Sequence, residues 1–213
     1  MSIKEKYHIE RITFSDCKEW ILYKHYAHRI PSISYAFGLF DNDKIIQGIC
    51  TFGSPASRNL CMGVCGAKYS SKILELNRLI VNQSENNMTS FFVSQCLKKI
   101  ESTKIIVSYA DSGQNHTGYI YQACNFIYTG ATKERTDIFS GEGKHSRHYD
   151  KNIDYSLNRK TRTSKHRYIY FIGTKKEKKE MREALMYEIQ PYPKGQNKNY
   201  DASFKPTIQG RLF

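Results

Sequence analysis

Four side chains that can move protons lie at separate places along this chain: His25, Tyr26, Asp111 and Tyr121. Asp111 follows an apolar, β-branched run, which is typical of the carboxyl end of a buried strand, where ligands of open α/β sheets bind. A carboxylate there can act as a base, orient a substrate amine or bind a metal. A phenol with a pKa of about 10 can act as a general acid. These residue types are therefore able to transfer protons.

Each of these residues also has an ordinary structural explanation. Asp111 precedes Ser112-Gly113, a pattern typical of a turn that an Asp side chain stabilises. Tyr121 is one of 16 tyrosines and could simply fill the core, while His25 and Tyr26 could pack at the end of a helix. The sequence leaves both explanations open.

Arg78 lies in the otherwise apolar run Leu76–Val81. A guanidinium group is costly to bury without a partner. We therefore expect Arg78 either to pair with Glu75 or Asp111 or to face a cleft.

The elements that would position these residues follow from hydrophobic periodicity. A helix is predicted over 14–26 with Ser15-Asp16 at its N-cap, and another from about Thr89 to Glu101. The predicted strands are 34–40 and 45–53 (a hairpin), 73–81, 104–109, 126–130 and 167–173. Segment 53–71 shows no period, and a charged helix is predicted over 175–188. The order predicts an α/β (α+β) fold with one domain over 1–190, a mixed central sheet flanked by helices, a C-terminal strand and helix, and an irregular tail over 191–213.

The composition is that of one globular domain. The 213 residues include 39% hydrophobic ones and carry a net charge of +13. No run is long enough to span a bilayer and no signal peptide precedes the domain, so we expect a cytoplasmic protein. Six cysteines without a CxxC pair predict reduced thiols rather than a zinc site.

The excess positive charge is concentrated between 144 and 167, within a predicted insertion over about 140–167. Basic residues bind phosphates with release of counterions, and the interleaved tyrosines can stack on unpaired bases. The alternative is a solvated basic loop. The candidates for DNA contact are Lys144, Arg147, Arg159, Lys160, Arg162 and Lys165.

Three ordered motifs, His25-Tyr26, Glu75–Val81 and Val107–Phe126, together resemble the Mom family of phage DNA-modification proteins. That family is a divergent branch of the GCN5-related N-acetyltransferases (GNAT proteins), and the similarity runs from about 25 to 171. It implies a GNAT-like domain that converts adenine in double-stranded DNA to its N6-carbamoylmethyl derivative and so protects phage DNA from restriction in the host cytoplasm. It also implies that His25, Tyr26, Asp111 and Tyr121 are catalytic.

The same resemblance implies acetyl-CoA as the cofactor, bound by Arg78, Thr89 and Ser90. In GNAT proteins the pyrophosphate rests on backbone N–H groups at the start of a helix, and Asn82–Ser90 occupies that place here. The usual Arg/Gln-x-x-Gly-x-Gly/Ala signature is absent, since no glycine lies between Gly66 and Gly113.

Carbamoylmethylation raises a chemical difficulty, because adenine N6 and the activated methyl carbon of acetyl-CoA are both nucleophilic. Their coupling requires an oxidation. A redox iron held by His25, Tyr26 and Asp111, with His116 as a weaker candidate, is one hypothesis. N6 is also paired within a duplex, so the enzyme would have to flip the base into a pocket.

Two other functions stay open. One is a conventional acyl-CoA-dependent N-acetyltransferase acting on an amine of a protein, an RNA or a hypermodified base. The other is a non-catalytic nucleic-acid-binding module on a decayed acetyltransferase fold, an alternative that the missing glycine signature keeps open.

Overall fold

A computed structural model describes residues 2–82, 85–141, 149–194 and 211–212. Seven strands form the main sheet in the order β1-β2-β3-β4-β5-β9-β6, and three shorter ones form a second sheet in the order β10-β8-β7. The strands are β1 (Tyr7–Arg11), β2 (Tyr35–Asp41), β3 (Ile46–Gly53), β4 (Ile73–Val81), β5 (Lys104–Asp111), β6 (Ile127–Ala131), β7 (Arg135–Ile138), β8 (Arg159–Arg162), β9 (Lys165–Ile172) and β10 (Arg211–Leu212). Neighbouring strands are antiparallel except for the central pair of β4 and β5.

Six α-helices accompany these strands, together with a π-helical turn (Trp20–Lys24) and two 3₁₀ turns (Ala67–Lys72 and Ser112–Gln114). The helices are α1 (Ile3–Lys6), α2 (Phe14–Glu19), α3 (Arg58–Cys65), α4 (Met88–Lys98), α5 (Tyr119–Ala123) and α6 (Lys175–Glu183). The predicted fold class, a mixed central sheet flanked by helices, is therefore confirmed.

Two apolar layers cover the two faces of the main sheet, as alternation along the strands requires. On the first face, α4 and α5 bury Phe92, Val93 and Phe126 against the sheet. The second face carries two separate clusters. Trp20 and Ile21 of the π-helical turn pack in one, and α3 and α6 pack in the other. The polar gap between these two clusters, which we call the cleft, contains the candidate site.

Several local predictions were wrong. Thr13, not Ser15-Asp16, is the N-cap of α2: its side chain accepts from the Asp16 N–H and the Asp16 carboxylate accepts from the Thr13 N–H. Segment 53–71, predicted to be irregular, contains α3 and a 3₁₀ turn. The short strands β1, β7 and β8 were also missed, because their mostly polar sequences show no apolar alternation.

The segment after α6 covers the outer edge of the main sheet. The Gln190 N–H donates to the Tyr128 carbonyl of β6 at 3.0 Å, and the Tyr192 hydroxyl donates to the Phe126 carbonyl at 2.7 Å. An uncovered edge strand would be a template for association with another chain. This part of the predicted irregular tail therefore protects β6.

The remaining tail residues, 195–210 and 213, lie outside the described residues, and β10 pairs with β8. All six cysteines are free thiols and five of them are buried, as predicted. No helix among the described residues is long and apolar enough to cross a membrane.

We predict that Gln190→Pro lowers the free energy of unfolding by about 1 kcal/mol, because proline removes the N–H donated to β6. Gln190→Ala keeps that N–H and serves as the matched control. Urea unfolding and light scattering would measure the two effects. Equal stability and equal self-association of both variants would contradict a protective role for this segment.

Candidate active site

A β-bulge in β4 determines which side chains enter the cleft. Thr51 of β3 pairs with Arg78 and the next residue, Phe52, pairs with Leu76, so Asn77 is an extra residue. In a regular strand, residues three positions apart point to opposite faces. The bulge lets Glu75 and Arg78 point to the same face, into the cleft.

The central parallel pair opens beside this bulge. β4 and β5 pair only from Ile73–Leu76 to Ile105–Ser108, and β5 then continues alongside β9 to the pair Asp111 and Lys165. The strand ends beyond Leu76 and Ser108 therefore separate. The cleft lies at this opening, at the carboxyl end of both strands, where the sequence predicted the chemistry.

The π-helical turn presents His25 and Tyr26 to the cleft. The His25 N–H bonds the Trp20 carbonyl at 3.2 Å, which closes the wide turn, and the Lys24 ammonium lies 3.8 Å from the Trp20 ring centroid. Single π-helical turns are frequent at functional sites. The His25 and Tyr26 rings stack with centroids 4.3 Å apart, and Tyr26 remains 45% exposed.

His25 is neutral at physiological pH. Its burial, together with the positive charge of Arg78, lowers its pKa to about 3. Its Nδ1 accepts the Ala27 N–H at 3.0 Å, which places the remaining ring proton on Nε2. His25 can therefore donate a hydrogen bond through Nε2, and it is poorly suited to take up a proton.

Asp111 is an ionised hydrogen-bond acceptor and is only 3% exposed. Burial opposes its ionisation, but hydrogen bonds from Lys165 and Thr163, both at 2.5 Å, outweigh that effect and lower its pKa. The Gly113 N–H also donates to it at 3.0 Å, so the turn-stabilising explanation holds as well. Asp111 is thus fixed by three donors from two elements.

Arg78 does not have the carboxylate partner that its burial led us to expect. Its guanidinium donates to the Asn77 carbonyl at 2.5 Å and to the Arg29 carbonyl at 2.6 Å, and its Nε has no hydrogen-bond partner among the described residues. The side chain is 8% exposed. It faces the cleft, the other possibility that the sequence left open, with no carboxylate bonded to it among the described residues.

Tyr121 lies on the first face of the sheet, whereas His25, Tyr26 and Asp111 lie on the second. Its ring packs against Phe126 and Tyr168, each at a centroid distance of 5.4 Å. Burial raises its pKa well above the ordinary value despite a hydrogen bond with Ser108. Ser108 is the residue at which β4 and β5 separate, so the Tyr121 hydroxyl lies at the opening from the other side.

The helix that carries Tyr121 depends on Gly118. This residue is the N-cap of α5 and has φ +84°, in the left-handed region. A Cβ at this position would lie 2.2 Å from the Tyr168 ring. Glycine alone satisfies both conditions.

The expected cofactor residues Thr89 and Ser90 lie in the first turn of α4, which begins at Met88 after the N-cap Asn87. The Ser90 hydroxyl donates to the Asn87 carbonyl at 3.0 Å, and Thr89 is buried. Arg78 lies apart from them, on the cleft face of the sheet. The three residues therefore do not form one cluster of contacts.

The basic segment is more ordered than a loop where the structure describes it. Arg159, Lys160 and Arg162 lie on β8, and Lys165 begins β9 with its ammonium paired to Asp111. Lys144 and Arg147 lie outside the described residues.

Sequence reasoning missed Glu75 as a member of the site and treated it only as a partner for Arg78. Burial raises its pKa above the ordinary value, although the charges of Arg78, Lys165 and Arg162 oppose this effect. Its carboxylate forms no hydrogen bond or ion pair with any described residue. An acidic residue within an apolar strand was the signal that could have found it.

The donor set does not fit the iron hypothesis. Among residues 2–82, 85–141, 149–194 and 211–212, no group of three His, Cys, Asp or Glu side chains is placed to hold a metal. The Asp111 oxygens accept from Lys165 and Thr163, and Nδ1 of His25 accepts from Ala27. The described residues therefore do not support an iron-dependent step.

We predict that Glu75→Gln increases the free energy of unfolding at neutral pH. The raised pKa means that folding disfavours the charged carboxylate, and glutamine has no charge to bury. The gain should vanish as the pH falls below the ordinary glutamate value of 4.5. Urea unfolding at several pH values measures the change in the free energy of unfolding. A variant that is less stable than the wild type at neutral pH would contradict the prediction.

Asp111→Asn should lower the free energy of unfolding at neutral pH. Because the pKa of Asp111 is lowered, folding favours its charged form at neutral pH, and this contribution is lost as the pH falls through that lowered pKa. We expect a loss of about 2 kcal/mol at neutral pH from the weakened hydrogen bonds to Lys165 and Thr163. The same unfolding series would measure it, and an unchanged stability would contradict the ion pair.

The overall fold is that of acetyltransferases. It resembles Arabidopsis thaliana NAA60, solved in complex with acetyl-CoA, with a TM-score of 0.50 and 11% identity over 78% of this chain and 98% of that one. A protein assigned as an acetyltransferase from Acinetobacter baylyi gives a TM-score of 0.50 and 10% identity over 79% and 93% of the two chains. At these identities the likeness shows the GNAT fold alone.

The sequence comparisons are more specific. The chain is 27% identical over 188 residues to the methylcarbamoylase Mom of Escherichia phage Mu, covering 80% of this chain and 77% of the relative. The model of the Mom protein family matches residues 6–194, which include every candidate residue of the cleft. On this match, the chain belongs to the Mom protein family.

Proposed function

We propose that this protein modifies adenine in double-stranded DNA at its exocyclic N6, adding a carbamoylmethyl group, and so protects phage DNA from restriction. The observation that carries the proposal is the cleft of a Mom-family chain, where neutral His25, ionised Asp111 and buried Arg78 lie at the opening between β4 and β5. Such a site can orient an amine and bind an anionic or carbonyl group beside it.

Acetyl-CoA is the proposed cofactor, together with a two-electron oxidant that allows the N6–methyl carbon bond to form and an ammonia equivalent that replaces the CoA thiolate as the carboxamide nitrogen. Acetyl-CoA would supply a thioester-activated acetyl group, and this opening between the strands, with the start of α4 on the first face, suits an extended thioester with an anionic end. Thr89 and Ser90 lie in the first turn of α4, and Arg78, whose Nε has no hydrogen-bond partner among the described residues, would face a carbonyl or anionic group. Tyr121 stays protonated because its pKa is raised, so it can give a proton to a departing thiolate.

On the cleft side, the described residues suit an extruded base. The exposed face of Tyr26 can stack on it, and the Nε2 proton of His25 can be donated to a ring nitrogen. Asp111 accepts a hydrogen bond from an amino group and so orients it. Glu75, with its raised pKa and no hydrogen-bond partner among the described residues, is the group best suited to accept a proton from N6.

A second candidate is favoured by the name of the phage Mu relative, methylcarbamoylase. A methylcarbamoyl group is an isomer of carbamoylmethyl and is joined to nitrogen through its carbonyl carbon. Its transfer forms an N6–carbonyl bond while a leaving group departs with a proton, so no oxidant is needed. This is acyl transfer, the reaction to which the GNAT fold and a protonated Tyr121 are suited.

We predict that plasmid DNA from bacteria expressing this protein contains a deoxyadenosine heavier by one carbamoylmethyl unit. Mass spectrometry of digested nucleosides detects it, and fragmentation separates the isomers. The methylcarbamoyl form is a urea and loses methyl isocyanate to give adenine, whereas the carbamoylmethyl form keeps its N6–carbon bond. Asp111→Asn, confirmed as folded, should reduce the product severely.

Two other outcomes would contradict carbamoylmethylation. Gain of one acetyl group would identify a conventional N-acetyltransferase. Unmodified DNA from cells that contain folded protein would contradict DNA modification and favour a binding module.

Tyr121→Phe should lower the rate of modification about 100-fold, as expected for the loss of a general acid. Tyr119→Phe is the control, since Tyr119 lies on the same helix and is largely exposed. Product accumulation over time in cells expressing equal amounts of each variant measures the difference. Equal rates for both variants would remove Tyr121 from the chemistry.

A further inference from the structure

β7 and β8 form a ribbon that continues the β6–β9 hairpin beyond the main sheet. Cross-strand partners in an antiparallel pair point to the same face. Arg135 pairs with Arg162 and Asp137 with Lys160, so one face carries three cations and one acid. The other face carries Arg159 with Ile138 and the threonine pair Thr136 and Thr161.

Asp137 forms ion pairs with the two opposed arginines on the ribbon face that carries three cations. Its carboxylate is 3.2 Å from Nε of Arg135 and 3.1 Å from an Nη atom of Arg162. Directly opposed like charges destabilise a β-ribbon, and a shared carboxylate offsets this repulsion. The two guanidinium groups are therefore kept side by side with a net charge of +1.

This face of the ribbon borders the cleft, because Thr163, the residue after Arg162, donates its hydroxyl to Asp111 at 2.5 Å. The charge of Arg162 acts on Arg29, on Glu75 and on Tyr109, which are cleft residues from three other segments. Arg29 follows the π-helical turn, and its carbonyl accepts the Arg78 hydrogen bond. Among the described residues, no carboxylate forms an ion pair with the Arg29 guanidinium.

Arg159 is held differently, although it lies on the same strand. Its guanidinium donates to the Thr136 hydroxyl at 3.2 Å and to the Thr136 carbonyl at 3.2 Å. It lies on the opposite face of the ribbon from Arg162. One strand thus presents two arginines to different surroundings.

We propose that Arg29 and Arg162, with Arg135 aligned by Asp137, bind a backbone phosphate of DNA at the mouth of the cleft, next to the adenine that enters it. This inference rests on the proposed function and assigns unequal roles to basic residues that the sequence grouped together. Guanidinium groups bind phosphate oxygens in a bidentate manner, and such contacts position a strand without reading its sequence. The ribbon face would thereby set the distance between the backbone and the cleft.

The test compares Arg162→Ala and Arg29→Ala with Arg159→Ala in the full-length protein. The affinity for a fluorescently labelled, adenine-containing duplex is measured by anisotropy at several salt concentrations. We expect Arg162→Ala and Arg29→Ala each to lower affinity about tenfold and to reduce the salt slope by about one, as for a lost phosphate contact. Arg159→Ala should leave both quantities nearly unchanged.

Thermal unfolding of each variant, and Arg162→Gln as a gentler substitution, separates lost binding from lost folding. Equal losses in Arg159→Ala and Arg162→Ala, or a wild-type protein that does not bind the duplex, would overturn the inference. If Arg162→Ala and Arg29→Ala weaken DNA binding and Arg159→Ala does not, but nucleosides stay unmodified, the phosphate site is supported and the proposed adenine modification is contradicted.

Discussion

The extra residue at Asn77 is the constraint on which the candidate site depends. It shifts the alternation of β4, so that Glu75 and Arg78 share the cleft face while the apolar residues on both sides of the bulge still reach their clusters. The same region is where β4 and β5 stop pairing. One local irregularity thus supplies both the charged groups and the opening beside them.

The charged groups of the cleft are arranged in a way that suits ligand binding but costs folding stability. Arg78 is buried against carbonyl groups, and Glu75 is half-buried near cations with which it forms no ion pair among the described residues. Asp111 and Lys165 do form a direct ion pair there. Incompletely satisfied charges of this kind are expected at functional sites, where part of the stability is given up for an arrangement that a ligand completes.

β9 connects the cleft with the β7–β8 ribbon. Its first residue, Lys165, holds Asp111 in the cleft, and the preceding bend leads directly into the ribbon that carries Arg162. A displacement of the ribbon would therefore alter the position of the Asp111 carboxylate. The GNAT fold alone does not specify this chemistry, because functional sites vary widely on a shared fold.

The sequence by itself determined the longer strands, α4, the reduced thiols and the position of Asp111 at a strand end, because apolar periodicity and β-branched runs encode local structure. Only the tertiary structure decided which residues meet. The bulge that brings Glu75 beside Arg78, the pairing of Lys165 with Asp111 and the opposite faces of Arg159 and Arg162 all depend on strand register. Register is fixed by contacts between distant segments, and a shift of one residue reverses every side chain's face.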